Sequence, residues 1–184
     1  MPFKKLSAAA TTPKRTEELP WKPGDIVVHG TDGICRITDV KSLDLIGEGS
    51  KDYYVLVPLY NRTLTIYVET KDADDTLRQP MEEREIAQMI NSIPDMDQQW
   101  IADEKERQRF FQEKLREPMV EDLIPVVRML YRRKQEMTRL GKKFHSADEQ
   151  ILTRAETIIN RELAHGLGID PEKVPEYIKN YIEK

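Results

Sequence analysis

The chain has 184 residues, 39% hydrophobic and 34% charged, and a formal net charge of −4. That length allows one domain or two small ones with modest cores, and the acidic balance excludes a protein that relies on its own overall charge to hold nucleic acid. No apolar run approaches the roughly 18–20 residues of a membrane span, and the single cysteine, Cys35, excludes an internal disulfide and points to a reducing cytoplasm.

The first residues, "MPFKKLSAAATTPKRTEELP", are basic with a short alanine stretch too apolar-poor for a secretory signal, and residues 1–18 read as a disordered tail. From 19 to 71 the apolar spacing has period two in "DIVVHG" (25–30), "GICRITDV" (33–40), "DYYVLVPLY" (52–60) and "RTLTIYVE" (62–69). These segments are rich in Val, Ile, Tyr and Thr, and "PGD", "TDG", "GEG" and "YNR" supply turns around and between them. Short strands with tight turns predict a small, strongly bent barrel of SH3 or Tudor type. Trp21, just before "KPGD", reads as a lid on its core. Residues 72–81 look like a polar linker.

From residue 82 to 184 the period becomes 3.6, which predicts a compact bundle of five helices and an α+β chain overall. "EEREIAQMINSI" (82–93) aligns Ile86, Met89, Ile90 and Ile93. A second helix is expected over 97–116, with Asp95 or Asp97 capping and Trp100 in its first turn. A third, over about 119–138, carries Val120, Leu123, Ile124, Val127, Leu130 and Tyr131 on one face, with Pro125 either near its first turn or at a kink. "SADEQILTRAETIINRELAHGLG" opens on a capping box, Ser146 to Glu149, and closes on Gly166 and Gly168. The last helix starts at Asp170-Pro171.

Signals for catalysis are poor, and neither an enzyme nor a cofactor is expected. There is no glycine-rich phosphate loop and no Cys/His metal spacing. His29, His145 and His165 are far apart in sequence and read as a turn residue, a residue before a cap and a last-turn cation. Cys35 alternates with strand residues and has no local basic partner, so it reads as inert packing.

The basic stretch "VVRMLYRRKQEMTRLGKK" (126–143) holds Arg128, Arg132, Arg133, Lys134, Arg139, Lys142 and Lys143 against one acid, Glu136. It is either a solvated helix face or a patch that tracks phosphates without reading sequence. Trp100 in "DQQWIADEKERQRFF" is likewise either a core residue of the bundle or an apolar wedge for a partner.

The order of these motifs resembles the CarD/CdnL family of bacterial RNA polymerase-binding transcription regulators. The resemblance covers residues 20 to about 170 and is carried by "WKPGDIVVHGTDGICRITDV", "YYVLVPLYNRTLTIYV", "LRQP", Trp100, "FFQEKL", "LIPVVRMLYRRK" and "AETIINRELAHGLG". The first-domain pattern is shared with the transcription-repair coupling factor, whose helicase motifs have no room in this chain.

The resemblance implies that the Tudor-like domain binds the lobe of the polymerase β subunit, largely strand to strand, through Leu43, Thr63, Thr65 and Tyr67. It implies that the helical domain meets promoter DNA at the upstream edge of the melted region, with Trp100 wedged into the minor groove in a sequence-tolerant way. Phosphate contacts are then expected from Lys105, Arg107, Arg109, Arg128, Arg132, Arg133, Lys142 and Lys143. The expected protein is a cytoplasmic monomer, off the membrane, that stabilises the open complex. The alternative is a polymerase-binding adaptor whose helical domain does not contact DNA.

Overall fold

The structure, a computed structural model, describes residues 19–182; the tail expected over residues 1–18 lies outside them. The chain divides into two compact units, Met1–Gln79 and Pro80–Lys184.

The first unit is one antiparallel sheet built from β1 (Ile26–His29), β2 (Gly33–Leu43), β3 (Lys51–Pro58), β4 (Ile66–Glu69) and β5 (Leu77–Arg78). The strand order is β4-β3-β2-β1-β5. Its apolar side chains come from every strand: Val27, Cys35, Ile37, Tyr54, Leu56, Val68 and Leu77 form one buried cluster. β2 bends at a register shift between Ile37 and Asp39, where the Thr38 hydroxyl donates to the Val55 carbonyl (3.1 Å). Trp21 packs over the cluster with Leu19, as expected of a lid, and its backbone N–H donates to the Tyr54 hydroxyl at 3.3 Å.

The sheet departs from the expected barrel because it does not close. Among the described residues β4 pairs only with β3 and β5 only with β1. β4 is also shorter than the periodic stretch 62–69, because turn chemistry takes its first half. Leu64 N–H donates to the Asn61 carbonyl (3.2 Å) and the Thr63 hydroxyl to the Asn61 side chain (2.8 Å). Leu64, an apolar residue of the period-two stretch 62–69, is therefore 38% exposed.

The stretch expected as a polar linker is largely part of this unit. It folds into a one-turn helix, α1 (Ala73–Thr76), and then β5, burying Ala73 and Leu77 in the sheet's core.

The second unit contains α2 (Glu83–Ser92), α3 (Glu104–Arg116), α4 (Val120–Arg139), α5 (Ser146–Leu167) and α6 (Val174–Ile182). With α1, six α-helices are present among the described residues rather than five. Ile86 and Ile90, Phe111 and Leu115, Leu123 and Leu130, Leu163 and Val174 meet in one core, so each helix of the unit contributes an apolar face.

Several boundaries move. α3 starts at Glu104, not 97, because the cap is Asp103, whose carboxylate accepts the Glu106 N–H at 2.8 Å. Ser146 is the first residue of α5 rather than its cap; His145 occupies the cap position and makes no side-chain capping bond. Gly168 ends α5 in the left-handed region, φ 65°, and the Ile169 N–H returns to the Ala164 carbonyl at 3.0 Å. Gly166 has another role, since it lies inside α5 where the Met81 backbone approaches too closely for a side chain. α4 continues unbroken through Pro125. Tyr131, expected on its buried face, is 44% exposed.

Candidate functional site

Between α2 and α3 the backbone leaves helical geometry. A 3-10 turn, Ile93–Asp95, is followed by an irregular run that lasts until the cap at Asp103. Trp100 stands on this run rather than in a helical first turn. It is half-buried, resting on the bundle core.

Arginines from two helices hold the run in place. Arg107, from the second turn of α3, is only 6% exposed. Its Nε donates to Asp148 Oδ1 at 3.2 Å, and its Nη1 donates to the carbonyl oxygens of Ile101 (3.0 Å) and Ala102 (3.4 Å). Its guanidinium carbon also lies 4.5 Å from the centre of the Trp100 ring, within cation–π range.

Asp148 is 2% exposed and sits in the first turn of α5. A helix N-terminus favours a carboxylate there, and Gln108 Nε2 donates to the same oxygen at 3.2 Å. The buried charge is thus paired, hydrogen-bonded and favourably placed.

From α4, Arg128 Nη1 donates to the carbonyls of Ile93, Met96 and Pro94. One turn later Arg132 pairs with Asp97. That hydrogen bond holds the Asp97 carboxyl below its ordinary range. Arg133 places its guanidinium carbon 5.1 Å from the Trp100 ring centre while Nη1 bonds Glu136 at 2.6 Å. A groove of about 220 Å³ opens beside the indole, lined by Gln98, Met129, Arg132, Arg133 and Glu136 among others.

The residues expected to touch phosphates therefore separate into two groups. Arg107 departs from the expected exposed phosphate contact: it is 6% exposed, and its Nε and Nη1 are bonded within the protein. Arg128, Arg132 and Arg133 are engaged by the Trp100 run or by Glu136. Lys105, Arg109, Lys142 and Lys143 are exposed, and among the described residues none of the four forms an ion pair. Lys134 pairs with Glu149 at 2.7 Å.

Asp148 and Gln108 were not singled out from sequence. The readable signal was an acid in the first turn of α5, but nothing local links it to Arg107.

In the first unit, β4 is an edge strand, and Tyr67 stands 44% exposed on it. Thr63 and Thr65 are exposed but precede the strand, Thr63 in the turn and Thr65 just before Ile66. Leu43 is half-buried and pairs with Lys51 at the opposite end of β3 from the Leu56–Ile66 pair. Leu43 and the threonines are thus separated along β3 by about 20 Å, at roughly 3.4 Å per residue.

The other candidates are quiet. Cys35 is fully buried, its thiol donates to the Gly33 carbonyl at 3.4 Å, and burial pushes its pKa up to about 12. His29 Nδ1 lies 3.0 Å from Asp32 Oδ2 in a turn. Among the described residues no group of His, Cys, Asp and Glu could hold a metal ion, and no helix is long and apolar enough to cross a membrane.

Comparison with known families gives two consecutive matches. Residues 21–82 match the CarD-like/TRCF RID domain, and residues 85–179 match the CarD C-terminal domain. No curated protein matches the chain.

Proposed function

The chain belongs to the CarD family of RNA polymerase-interacting transcription regulators, and from that premise we propose a division of labour between its two units. The first unit docks on the lobe of the polymerase β subunit by adding the β4 edge to a partner strand, with Tyr67 supplying the exposed side-chain contact. An unpaired strand edge offers backbone donors and acceptors for this mode of recognition, and the outward side chains give specificity.

The second unit brings Trp100 to promoter DNA at the upstream edge of the melted region and slows closure of the open complex. The observation that carries this reading is the placement of Trp100. A large aromatic is held half-exposed on a non-helical run, backed by a buried arginine, beside a groove. An apolar wedge in the minor groove gains by filling partly unstacked steps and resists closure of the duplex. Lys105, Arg109, Lys142 and Lys143 supply the salt-dependent, sequence-independent attraction to phosphates. The net charge of −4 fits a protein whose DNA contact depends on polymerase rather than on its own overall field.

Crosslinking to upstream-fork promoter DNA, with and without polymerase, tests the reading. Crosslinks from the second unit only when polymerase is present are expected. Polymerase binding with no crosslink from that unit would make the protein an adaptor instead.

A further inference from the structure

We infer that Arg107 is the positioning residue for Trp100, its guanidinium held in three contacts at once with the Asp148 acceptor oxygen as one anchor. The inference deepens the proposed role of Trp100 and rests on that reading for its functional half only.

A guanidinium meets its partners in a plane. At Arg107 the Nε edge faces Asp148 Oδ1 (3.2 Å), Nη1 faces the carbonyls of Ile101 and Ala102 (3.0 and 3.4 Å), and the guanidinium carbon lies 4.5 Å from the indole centre. The two carbonyls belong to the residues directly after Trp100, so the same side chain fixes both the ring and the backbone that carries it. Gln108, the next residue on α3, adds a second donor to Asp148 Oδ1 (3.2 Å) and tightens the α3–α5 side of the arrangement. Arg128 secures the start of the run through the Ile93, Pro94 and Met96 carbonyls. The run carrying Trp100 is therefore pinned at both ends by side chains, because it has no helical hydrogen bonds of its own to fix its course.

This matters because a wedge acts only in one orientation. An indole free to rotate or fold back onto the bundle spends part of its time unable to enter a groove, and the apparent strength of its contact falls by that fraction. A lysine at position 107 could still pair with Asp148 but could not span the carbonyls and cover the ring, since its charge is a point and not a planar fork.

The test uses the full-length protein labelled with 5-fluorotryptophan, which gives one fluorine signal from Trp21 and one from Trp100, assigned with Trp100→Phe. Two variants are compared. Arg107→Lys keeps the ion pair and removes the planar contacts. Asp148→Asn removes the charge and keeps the oxygen that accepts from Arg107 and Gln108. Arg107→Lys is expected to shift and broaden the Trp100 signal, leave that of Trp21 in place, and shorten open-complex lifetime by roughly three- to tenfold, the scale of a lost cation–π contact. Asp148→Asn is expected to lower the thermal midpoint at least as much while leaving the Trp100 signal and the lifetime near wild type.

If both variants change signal and lifetime in step with their midpoints, Arg107 is merely structural and the inference is overturned. An unmoved Trp100 signal in Arg107→Lys also overturns it. Should Arg107→Lys fail to fold, the double variant Arg107→Gln/Asp148→Asn, which strands no buried charge, carries the same forecast. A displaced Trp100 signal with Trp100→Ala leaving lifetime unchanged would uphold the positioning and sink the DNA reading, so the two failures are distinguishable.

Discussion

Gly166 and Met81 approach so closely that a methyl group on Gly166 would fall inside contact distance of the Met81 carbonyl oxygen and 2.5 Å from Ile86 Cδ1. Gly166→Ala therefore sets two effects against each other. Alanine favours the helix by about 1 kcal/mol, while overpacking against backbone costs about 1–3 kcal/mol or more. Because the obstructing atom is a backbone oxygen rather than a flexible side-chain end, the second effect wins. Thermal unfolding should show a lower midpoint for the second unit.

Trp100→Ala separates the two readings of that residue. Base–aromatic stacking contributes about 1–3 kcal/mol by alanine substitution, so open-complex lifetime should fall by roughly five- to a hundredfold. Its ring is only half-buried, so the unfolding midpoint should drop far less than the loss of a fully buried Trp, about 3–5 kcal/mol, would require. A collapsed midpoint with a normal decay rate would make Trp100 a core residue.

Lys142→Ala/Lys143→Ala and Arg128→Ala should have different signatures. The lysines are exposed and form no ion pair among the described residues. Removing two phosphate contacts should lower the slope of log affinity against log salt by about 2 on every promoter, with the midpoint unchanged. Arg128→Ala should lower the midpoint, since it strips the Met96 carbonyl of its Arg128 donor and leaves the Ile93 carbonyl with the Met96 N–H at 3.1 Å. Losses that track promoter sequence in the lysine variant would mean base readout.

Tyr67→Glu places a charge on the exposed face of edge strand β4 without touching the sheet's core. Capture of the β lobe should weaken by about tenfold or more, the effect of losing one well-buried aromatic anchor, while the circular dichroism melt stays put. Full capture by the folded variant would remove β4 as the docking edge.

Cys35 should resist alkylation by iodoacetamide at pH 8 until denaturant is added, because burial raises its pKa from 9.0 to about 12. The sign of the linkage follows. The folded state holds this proton longer than the unfolded chain does, so the contribution is complete below about pH 9 and is lost as pH rises toward 12. Native thiol reacting as fast as denatured thiol would contradict the burial.

The two-unit α+β plan was legible because the apolar period changes from 2 to 3.6, a signal that survives errors at individual residues. The closure of the sheet was not, since it depends on whether 62–65 pairs or turns, and Asn61 decides that with hydrogen bonds that periodicity does not weigh. Composition misled at 72–81: Ala73 and Leu77 are the apolar residues that matter there, and both are buried. The start of α3 was read at Asp95 or Asp97, and the reading passed over Asp103, an equally sound cap. Arg132, 35 residues away, engages Asp97, and Asp103 caps the helix. The Arg107–Asp148 pair spans 41 residues, and in one dimension a buried arginine looks the same as a phosphate contact.

The passage from β5 to α2 takes only residues 79–82, and that short junction has a thermodynamic consequence. A module tethered to an already bound neighbour experiences an effective concentration on the order of mM. If the second unit holds DNA as proposed, it would need only a feeble intrinsic affinity once the first unit is seated on polymerase. On DNA without polymerase that same affinity would leave it unbound. The chain would then act as a coincidence detector, spending almost no time on the vast excess of duplex that carries no transcription machinery.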